Sequence, residues 1–475
     1  MLPLVEFPEL VQHYAPQFAH VFSPEAWVEF ERYLSGLIVS ENKTVDGINR
    51  WFVNESRNQS SLNRLLTQSP FELNTLNQAR LDLLAALPGT RMKPNGVFSL
   101  DDTLLIHYGE SFEEIATLWD HVSQSYVRAH NLVTLHYSDD DTDYPALFQL
   151  WKPVNLELLE QGLRAAGIAL KGAKQPLKTE APHQWREYLL GVWRRRQKQH
   201  PEIADLYDSK PHIGEHLLQE WGEAHPDLKL PVAFDSWYTQ PAFCAYLDQT
   251  LHWPYVGALA DTDVVILKRG PEPVAQFARE LKQEHLKAIQ HNKPGVFQPI
   301  RIHYKGTTER YYSYCETHRL KDFGRVRLVI NHRQADLSDS SVCLIANRLP
   351  WRATGITRIY RHRWPVEVYH EEGKAEGLDQ YQLRDFCAVQ RHVALVAVVY
   401  SLLRAAQHDP VLQGKLQRQL KLQLDTDQGG SAAYWQRVTQ AQSLWSLAVF
   451  ISAGLSQGHR LHTVMAPLLR AVCAA

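Results

Sequence analysis

The sequence predicts an α/β protein in which a mixed sheet is flanked by helices. Residues 1–94 show successive helical patterns, apolar strands alternate with helical segments after them, and short alternating strands dominate about 256–347. At 475 residues the chain is long enough for two or three domains. We therefore predict a helical domain at 1–94, an α/β domain at 95–405 that carries the β-rich insertion, and a helical C-terminal region at 406–475.

The composition is that of an ordinary soluble protein, with 44% hydrophobic and 21% charged residues. Because the net charge is −2, any DNA contact must come from local basic patches. The five cysteines are far apart and form no Cys-x-x-Cys, which indicates a reducing compartment and argues against a zinc ribbon. The N-terminus has no signal-peptide pattern, and the apolar run at 393–403 is too short to span a bilayer. We expect a buried helix there, a cytoplasmic protein and no membrane partner.

The N-terminal region begins its main helix at Ser23-Pro24, a cap followed by proline in the first turn. Two shorter helices are predicted at 44–52 and 60–66, joined by a polar turn. Their polar and basic side chains, such as Asn49 and Arg57, suit a helix-turn-helix that touches DNA. A helical bundle with a polar face predicts the same pattern, so both interpretations stay open.

The first predicted strand of the α/β domain carries acid at Asp101-Asp102-Thr103. Carboxylates are costly to bury in a strand unless they serve a purpose, so a metal site is one interpretation and a turn at the strand end is the other. Asp102 continues the apolar alternation of the strand, and both aspartates stay candidates. Strands follow at 129–137 and 144–151, and the Asp139–Asp141 run between them fits a solvated hairpin loop better than a metal site.

A helix at 183–200 carries the densest basic run, which includes Arg194, Arg195, Arg196 and Lys198. A solvated helix end and a DNA-backbone contact explain this run equally well. Further along, an apolar strand at 228–234 ends in Asp235, and a helix start follows.

The most informative segment is the helix predicted from Pro365, because proline suits the first turn. Glu367 and Lys374 are seven residues apart and share a face of this helix, since each residue advances about 100°. Tyr360 and Arg363 are expected just before it. A carboxylate can hold a divalent metal and cations can hold phosphate oxygens, so the cluster suits phosphodiester chemistry. A surface helix with charge pairs is the alternative.

These four residues fit Tyr-x2-Arg-x3-Glu-x6-Lys, which resembles the signature of cut-and-paste insertion-sequence transposases with a DDE catalytic triad. The Asp-x-Thr at Asp101 and the strand-ending Asp235 resemble the first and second acidic motifs of that group. The three motifs occur in the family's order between about residues 97 and 405.

The resemblance implies an RNase H-like core in which Asp101, Asp235 and Glu367 hold two Mg²⁺ ions, with Mn²⁺ able to substitute and Asp102 as the alternative to Asp101. It implies phosphate contacts from the residues Tyr360, Arg363 and Lys374. A β-rich insertion between the second Asp and the Glu is also implied, where it would help to hold the transposon end. The resemblance further implies that the helical domain at 1–94 binds DNA and recognises the ends of the element.

The expected partners are double-stranded DNA, as terminal inverted repeats and as target, and a second copy of the chain in a synaptic homodimer. The expected location is the bacterial cytoplasm, on the nucleoid when DNA is bound. Two alternatives remain: a catalytically silent DNA-binding protein of this fold, and an RNase H-like nuclease without strand transfer.

Overall fold

The computed structural model describes residues 3–109, 111–197, 199–424 and 431–473. Within these residues the chain forms one twelve-stranded mixed sheet with helices packed against it. The α/β class predicted from the sequence is confirmed at this level, and the arrangement is consistent with a DDE nuclease fold.

The described residues form twelve strands, two more than the sequence predicted. They are β1 Val97–Ile106, β2 Ala116–Asp120, β3 Ser125–Ser138, β4 Asp143–Trp151, β5 Val232–Phe234, β6 Tyr255–Ala258, β7 Val264–Leu267, β8 Gly270–Pro273, β9 Gln298–Tyr304, β10 Thr307–Leu320, β11 Gly324–His332 and β12 Val342–Ala346. The sequence missed β2, which is half exposed, and β8, whose two prolines are tolerated because it lies at the sheet edge.

The centre of the sheet is built on β1. It pairs antiparallel with β3, where Asp101 lies opposite Thr134, and parallel with β5, where Leu100 lies beside Phe234. β5 in turn pairs parallel with β6. Asp235 immediately follows β5, so the register places Asp101 and Asp235 next to each other, just past the end of the β1–β5 pairing.

The β-rich region continues this sheet in the order β6-β12-β11-β10-β7-β8, and β9 also pairs with β10. The pairings beyond β6 are antiparallel. Because β6 belongs both to the centre and to this extension, the two share one continuous sheet. The description of the region as an insertion stays a prediction.

The helices occupy the ends of the chain and the connections between strands. The α-helices of the described residues are α1 Glu9–Tyr14, α2 Pro24–Val39, α3 Val45–Asn49, α4 Gln59–Thr67, α5 Leu73–Ala86, α6 Leu156–Ala165, α7 Leu177–Glu180, α8 Pro182–Arg196, α9 Lys210–Ala224, α10 Pro241–Gln249, α11 Val274–Gln290, α12 Ala353–Arg361, α13 Trp364–Ala375, α14 Phe386–Ala406, α15 Pro410–Leu420, α16 Ala432–Ser456 and α17 Leu461–Cys473. Short 3-10 helices lie at Ala15–Phe18, Gly172–Lys174 and Pro201–Leu206.

The N-terminal helices share one hydrophobic core with α14, α16 and the central sheet. The predicted start of α2 is confirmed, since the Ser23 hydroxyl accepts the N–H of Ala26 and Pro24 opens the first turn. The predicted boundary near residue 94 therefore marks the change from helices to sheet within a shared core. The division into three domains stays a prediction.

Of the two short helices of this region, α4 agrees with the predicted span 60–66, whereas α3 is shorter than predicted. α3 has five residues and ends at Asn49, well before the predicted end at residue 52. Buried Arg32 donates to Asn49 at 2.7 Å, and Arg57 donates to Glu29 at 3.1 Å. Two of the polar side chains thus bind inside the region, and the choice between a helical bundle and a helix-turn-helix stays a prediction.

α14 is longer than predicted and forms the centre of the helical layer. Its 21 residues are apolar enough to cross a membrane, but 83% of its most apolar window is buried against other elements. It contacts α2, α4, α5, α16 and β4. Such burial is typical of a core helix and agrees with the buried helix expected from the sequence.

The β3–β4 hairpin is confirmed, but its acidic turn is solvated only at Asp141. Asp139 is buried, and buried Asp143 accepts from Arg404 at 2.6 Å and from Lys305 at 2.7 Å. Asp140 accepts from Arg358 at 2.9 Å. Cations from three other parts of the chain neutralise the buried and half-buried acids of this turn, while Asp141 stays exposed.

Candidate active site

The signature residues lie at a corner between two helices. Tyr360 belongs to α12, which the sequence analysis did not predict, and Arg363 immediately precedes α13. Gly355 and several β-branched residues disfavour a helix at α12, but Ile356 and Ile359 stabilise it by packing on the sheet. The predicted helix from Pro365 is confirmed as α13.

Arg363 connects the sheet to α13. Its Nη1 donates to Oδ2 of Asp101 at 3.0 Å, and its Nη2 donates to Oε1 of Glu367 at 2.5 Å. The Tyr360 ring lies beneath the guanidinium, 5.6 Å from its carbon. The structure thus brings together two acidic residues from distant parts of the chain around one arginine.

Asp235 is the third acid of this group. Its Oδ1 accepts the backbone N–H groups of Trp237 and Tyr238 at 3.0 and 3.1 Å, which fixes the carboxylate at the start of a turn. The charge of Asp235 is close enough to raise the pKa of Asp101.

The electrostatics of the cluster are those of crowded carboxylates. Burial is the largest cause that raises the pKa of Asp101 to about 7, with further contributions from Asp235 and Asp102, while Arg363 acts in the opposite direction. Burial would lower the pKa of Arg363, but Tyr360, Asp101 and Glu367 together hold it above its ordinary value. The site therefore favours the binding of a cation.

Asp102 points to the opposite face of β1, as alternation along a strand requires. Its Oδ1 accepts from the Tyr238 hydroxyl at 3.0 Å. Its Oδ2 accepts from Asn131 at 2.7 Å and from Lys210 at 2.8 Å. The sequence analysis missed these three partners, which lie in distant segments and carry no shared motif.

The donor chemistry of Asp101, Asp235 and Glu367 fits a hard divalent cation, since all three offer carboxylate oxygens and share an excess of negative charge. Among the described residues, no three His, Cys, Asp or Glu side chains are already gathered at metal-binding distance. At this site Arg363 lies between Asp101 and Glu367. Closure around an ion therefore requires the guanidinium to leave at least one carboxylate.

The other predicted DNA-binding residues lie on two helices: Lys374 on α13, two turns after Glu367, and the three arginines on α8. Lys374 is half-buried on α13 and forms no ion pair with any described residue. Arg194, Arg195 and Arg196 are exposed in the last turn of α8, and Lys198 lies outside the described residues.

A cavity of about 240 Å³ adjoins the corner and extends the site towards β10 and β11. Tyr360, Arg363 and the half-exposed ring of Trp364 line its near side, and Tyr311 and Arg333 line its far side. The sequence analysis did not single out Trp364, whose position beside Arg363 depends on the α12–α13 corner.

A family model of DDE superfamily endonucleases matches residues 17–297, which is more than half of the chain. The chain belongs to this family. The match contains Asp101 and Asp235 and ends before α12, so it does not include the Tyr-Arg-Glu-Lys segment. No curated protein sequence matches the chain. Membership makes the protein a DDE-type enzyme that cleaves nucleic acid, with DNA as the substrate, in a family that uses divalent metals.

Proposed function

We propose that this endonuclease is the transposase of a bacterial insertion sequence, which cuts the ends of the element and joins them to target DNA. The observation that carries the proposal is the position of Arg363, which binds Asp101 and Glu367 at 3.0 and 2.5 Å while Asp235 lies one strand away. Glu367 lies outside the range matched by the family model, so its convergence with the two matched aspartates is independent support.

In this proposal Asp101, Asp235 and Glu367 hold two Mg²⁺ ions, or Mn²⁺ in their place. When bound there, the ions would supply activation of the attacking water or 3′-hydroxyl and stabilisation of the leaving oxygen. The protein supplies one acid from a strand, one from a turn and one from a helix. Because the three carboxylates come from different elements, they can approach one metal site from different directions.

Arg363, Tyr360 and Lys374 would hold the DNA backbone beside the carboxylates. Arg363 offers a planar donor group that matches phosphate oxygens, and the Tyr360 ring beneath it holds that plane in place. Lys374 forms no ion pair within the described part of the chain, and its charge, which opposes the burial that raises the pKa of Asp379, would bind phosphate when DNA is present.

The order of steps follows the resemblance to cut-and-paste transposases: a nick, a hairpin at the transposon end, opening of the hairpin, and strand transfer. The partners would be terminal inverted repeats and target DNA, met on the nucleoid in the bacterial cytoplasm. Arg194, Arg195 and Arg196 offer a further phosphate-binding surface.

The central test uses Glu367→Ala and Asp235→Ala, with Glu371→Ala as the matched control on the exposed side of the same helix. Cleavage of a duplex that carries an end of the element should be lost in the first two variants and kept in the control. Gel-shift binding should persist in all three, because affinity comes mainly from phosphate contacts.

An equal loss of binding and cleavage would contradict the assigned roles. A strand-transfer assay on the same samples separates a transposase from a nuclease that only cuts. Complete inactivity of the wild type with Mg²⁺ and Mn²⁺ would instead favour a DNA-binding protein without catalysis.

We also propose that excision requires two protein copies on two ends, since a single site serves one end at a time. Wild type is mixed with an excess of the Glu367→Ala protein. Paired complexes predict that double-end excision falls more steeply than the wild-type fraction. A strictly proportional fall would indicate that one chain acts alone.

A further inference from the structure

Asp102 and Asp101 are neighbours of equal exposure, yet they have opposite surroundings. Each side chain is 16% exposed. Asp101 faces Arg363, whereas Asp102 accepts three hydrogen bonds from the far side of β1, two of them from the residues Tyr238 and Lys210. These donors leave Asp102 neutralised and already coordinated by protein groups.

Two of the partners of Asp102, Tyr238 and Lys210, also contact the turn that carries Asp235. The backbone N–H groups of Trp237 and Tyr238 bind the Asp235 carboxylate, and the Tyr238 hydroxyl binds Asp102. The ammonium of Lys210 lies 4.7 Å from the centre of the Trp237 ring. Tyr238 and Lys210 therefore connect β1 to this turn, whereas the third donor, Asn131, lies on β3.

Side-chain contacts are needed to fix the separation of Asp101 and Asp235, because the β1–β5 backbone pairing ends one residue before each of them. The β1–β5 ladder covers Phe98–Leu100 and Val232–Phe234, so Asp101 and Asp235 are the first residues beyond it. Past the end of a ladder, no strand-to-strand hydrogen bond fixes their separation. The hydrogen bond between Tyr238 and Asp102 closes this gap.

We propose that Asp102, Tyr238 and Lys210 are positioning residues that set the separation of Asp101 and Asp235 for divalent-cation binding. The inference rests on the proposed function, because it assigns those two acids to the metal. It also gives the second aspartate of Asp101-Asp102-Thr103 a role other than that of a ligand. Loss of one such partner weakens metal binding or activity by about 10–100-fold in metalloproteins.

The test compares Tyr238→Phe with Tyr144→Phe, and Lys210→Met with Lys229→Met. Tyr144 is a buried tyrosine remote from the acids, whose hydroxyl donates to the Thr90 carbonyl at 2.8 Å. Lys229 lies over the Trp253 ring at 5.7 Å, as Lys210 lies over Trp237. The matched controls remove the same groups without disturbing the turn.

Two measurements are made on each variant: Mn²⁺ binding by calorimetry, and end cleavage as a function of Mg²⁺ concentration. We expect Tyr238→Phe and Lys210→Met to bind Mn²⁺ at least tenfold more weakly than their controls. Cleavage should be recovered at high Mg²⁺, because the ligands themselves remain. The melting temperatures of each variant and its control should agree. If one variant unfolds, the comparison of the other variant with its control tests the inference.

Unchanged Mn²⁺ affinity in both variants would overturn the inference. So would an inactive Asp102→Asn protein beside an active Asp101→Asn protein, because Asp102 would then be the ligand. A wild type that binds Mn²⁺ but never cuts DNA would overturn the proposed function alone, since the binding comparison would still test the positioning residues.

Discussion

Two groups of arginines in this molecule have similar sequence patterns and opposite surroundings. Arg358, Arg361 and Arg363 at the α12–α13 corner each bind a carboxylate, at distances of 2.5–3.0 Å. Arg194, Arg195 and Arg196 at the end of α8 are exposed and form no ion pair with a described carboxylate. The difference teaches that, without DNA, the paired arginines hold protein geometry, and Arg363 can reach phosphate only after it leaves a carboxylate. The exposed arginines of α8 need no such release.

The physical reason is the cost of desolvation. An arginine near buried acids has lost part of its hydration, and its removal leaves those acids uncompensated. An exposed arginine keeps its hydration and contributes to DNA binding mainly through the release of counterions. Charge substitutions in the two groups should therefore change different measured quantities.

The largest expected effect is that of Arg363→Gln on cleavage. Without the guanidinium, Asp101 and Glu367 repel each other and the acids shift, and displacements near 1 Å cost about 100-fold in rate. Arg358→Gln is the control, because it removes an ion pair to Asp140 on the same corner without touching the acids. Single-turnover cleavage at saturating protein measures the effect, and equal rates would show that Arg363 has no role in placing the carboxylates.

The triple variant of Arg194, Arg195 and Arg196 to glutamine should change DNA binding instead. If all three contact phosphates, the log–log salt slope falls by about 2.7, which is 0.9 per contact. Single-turnover cleavage at saturation should be unaffected. Titrations between 50 and 200 mM salt measure the slope, and an unchanged slope would identify these residues as a solvated helix end.

The acidic cluster also predicts a pH dependence of stability in the metal-free protein. The pKa of Asp101 is raised by burial from an ordinary 3.8 to about 7, so the folded protein holds a proton that the unfolded chain has released. Asp101 therefore lowers stability as the pH rises from about 4 to about 7.

Urea unfolding of the wild type and of Asp101→Asn, in the presence of a chelator, checks this expectation. The variant should show a flatter dependence on pH across that window, since its amide does not titrate. Parallel curves for the two proteins would contradict the assigned protonation.

Lys374→Ala should have the smallest effect, a decrease of about 0.9 in the salt slope. The lysine forms no ion pair with the described residues, so its removal should leave the melting temperature unchanged. Arg363→Gln, whose side chain is bound to acids, should change the melting temperature more than the slope. If Lys374→Ala changed mainly the melting temperature and Arg363→Gln mainly the salt slope, Lys374 would be the structural cation and Arg363 the phosphate contact.

Much of the fold could be predicted from the sequence, because the helices and strands near the site have strong local sequence patterns. The proline start of α13 and the strand that contains Asp101 were both predicted correctly. α12 was missed because its helix-disfavouring residues are compensated by packing on the sheet, which a local pattern does not contain.

The candidate site was predicted as a set of residues but not as an arrangement. Motif order identified Asp101, Asp235 and Glu367, while the register of β1 against β5 is what brings the first two together. Lys210 and Tyr238 could not be found from the sequence, because their connection to Asp102 depends on contacts between distant segments. Which of these residues act in catalysis stays a prediction.

The position of α14 late in the chain determines when the early helices can complete their contacts during synthesis. Arg80 of α5 donates to Ser401, and Tyr33 of α2 bonds to His392, so two early helices complete their contacts on a helix that is made much later. At 5–20 residues per second, the intervening chain takes on the order of tens of seconds to emerge. During that interval the N-terminal helices leave the ribosome with apolar faces uncovered, which makes the nascent chain a natural client for chaperones that hold unfolded segments.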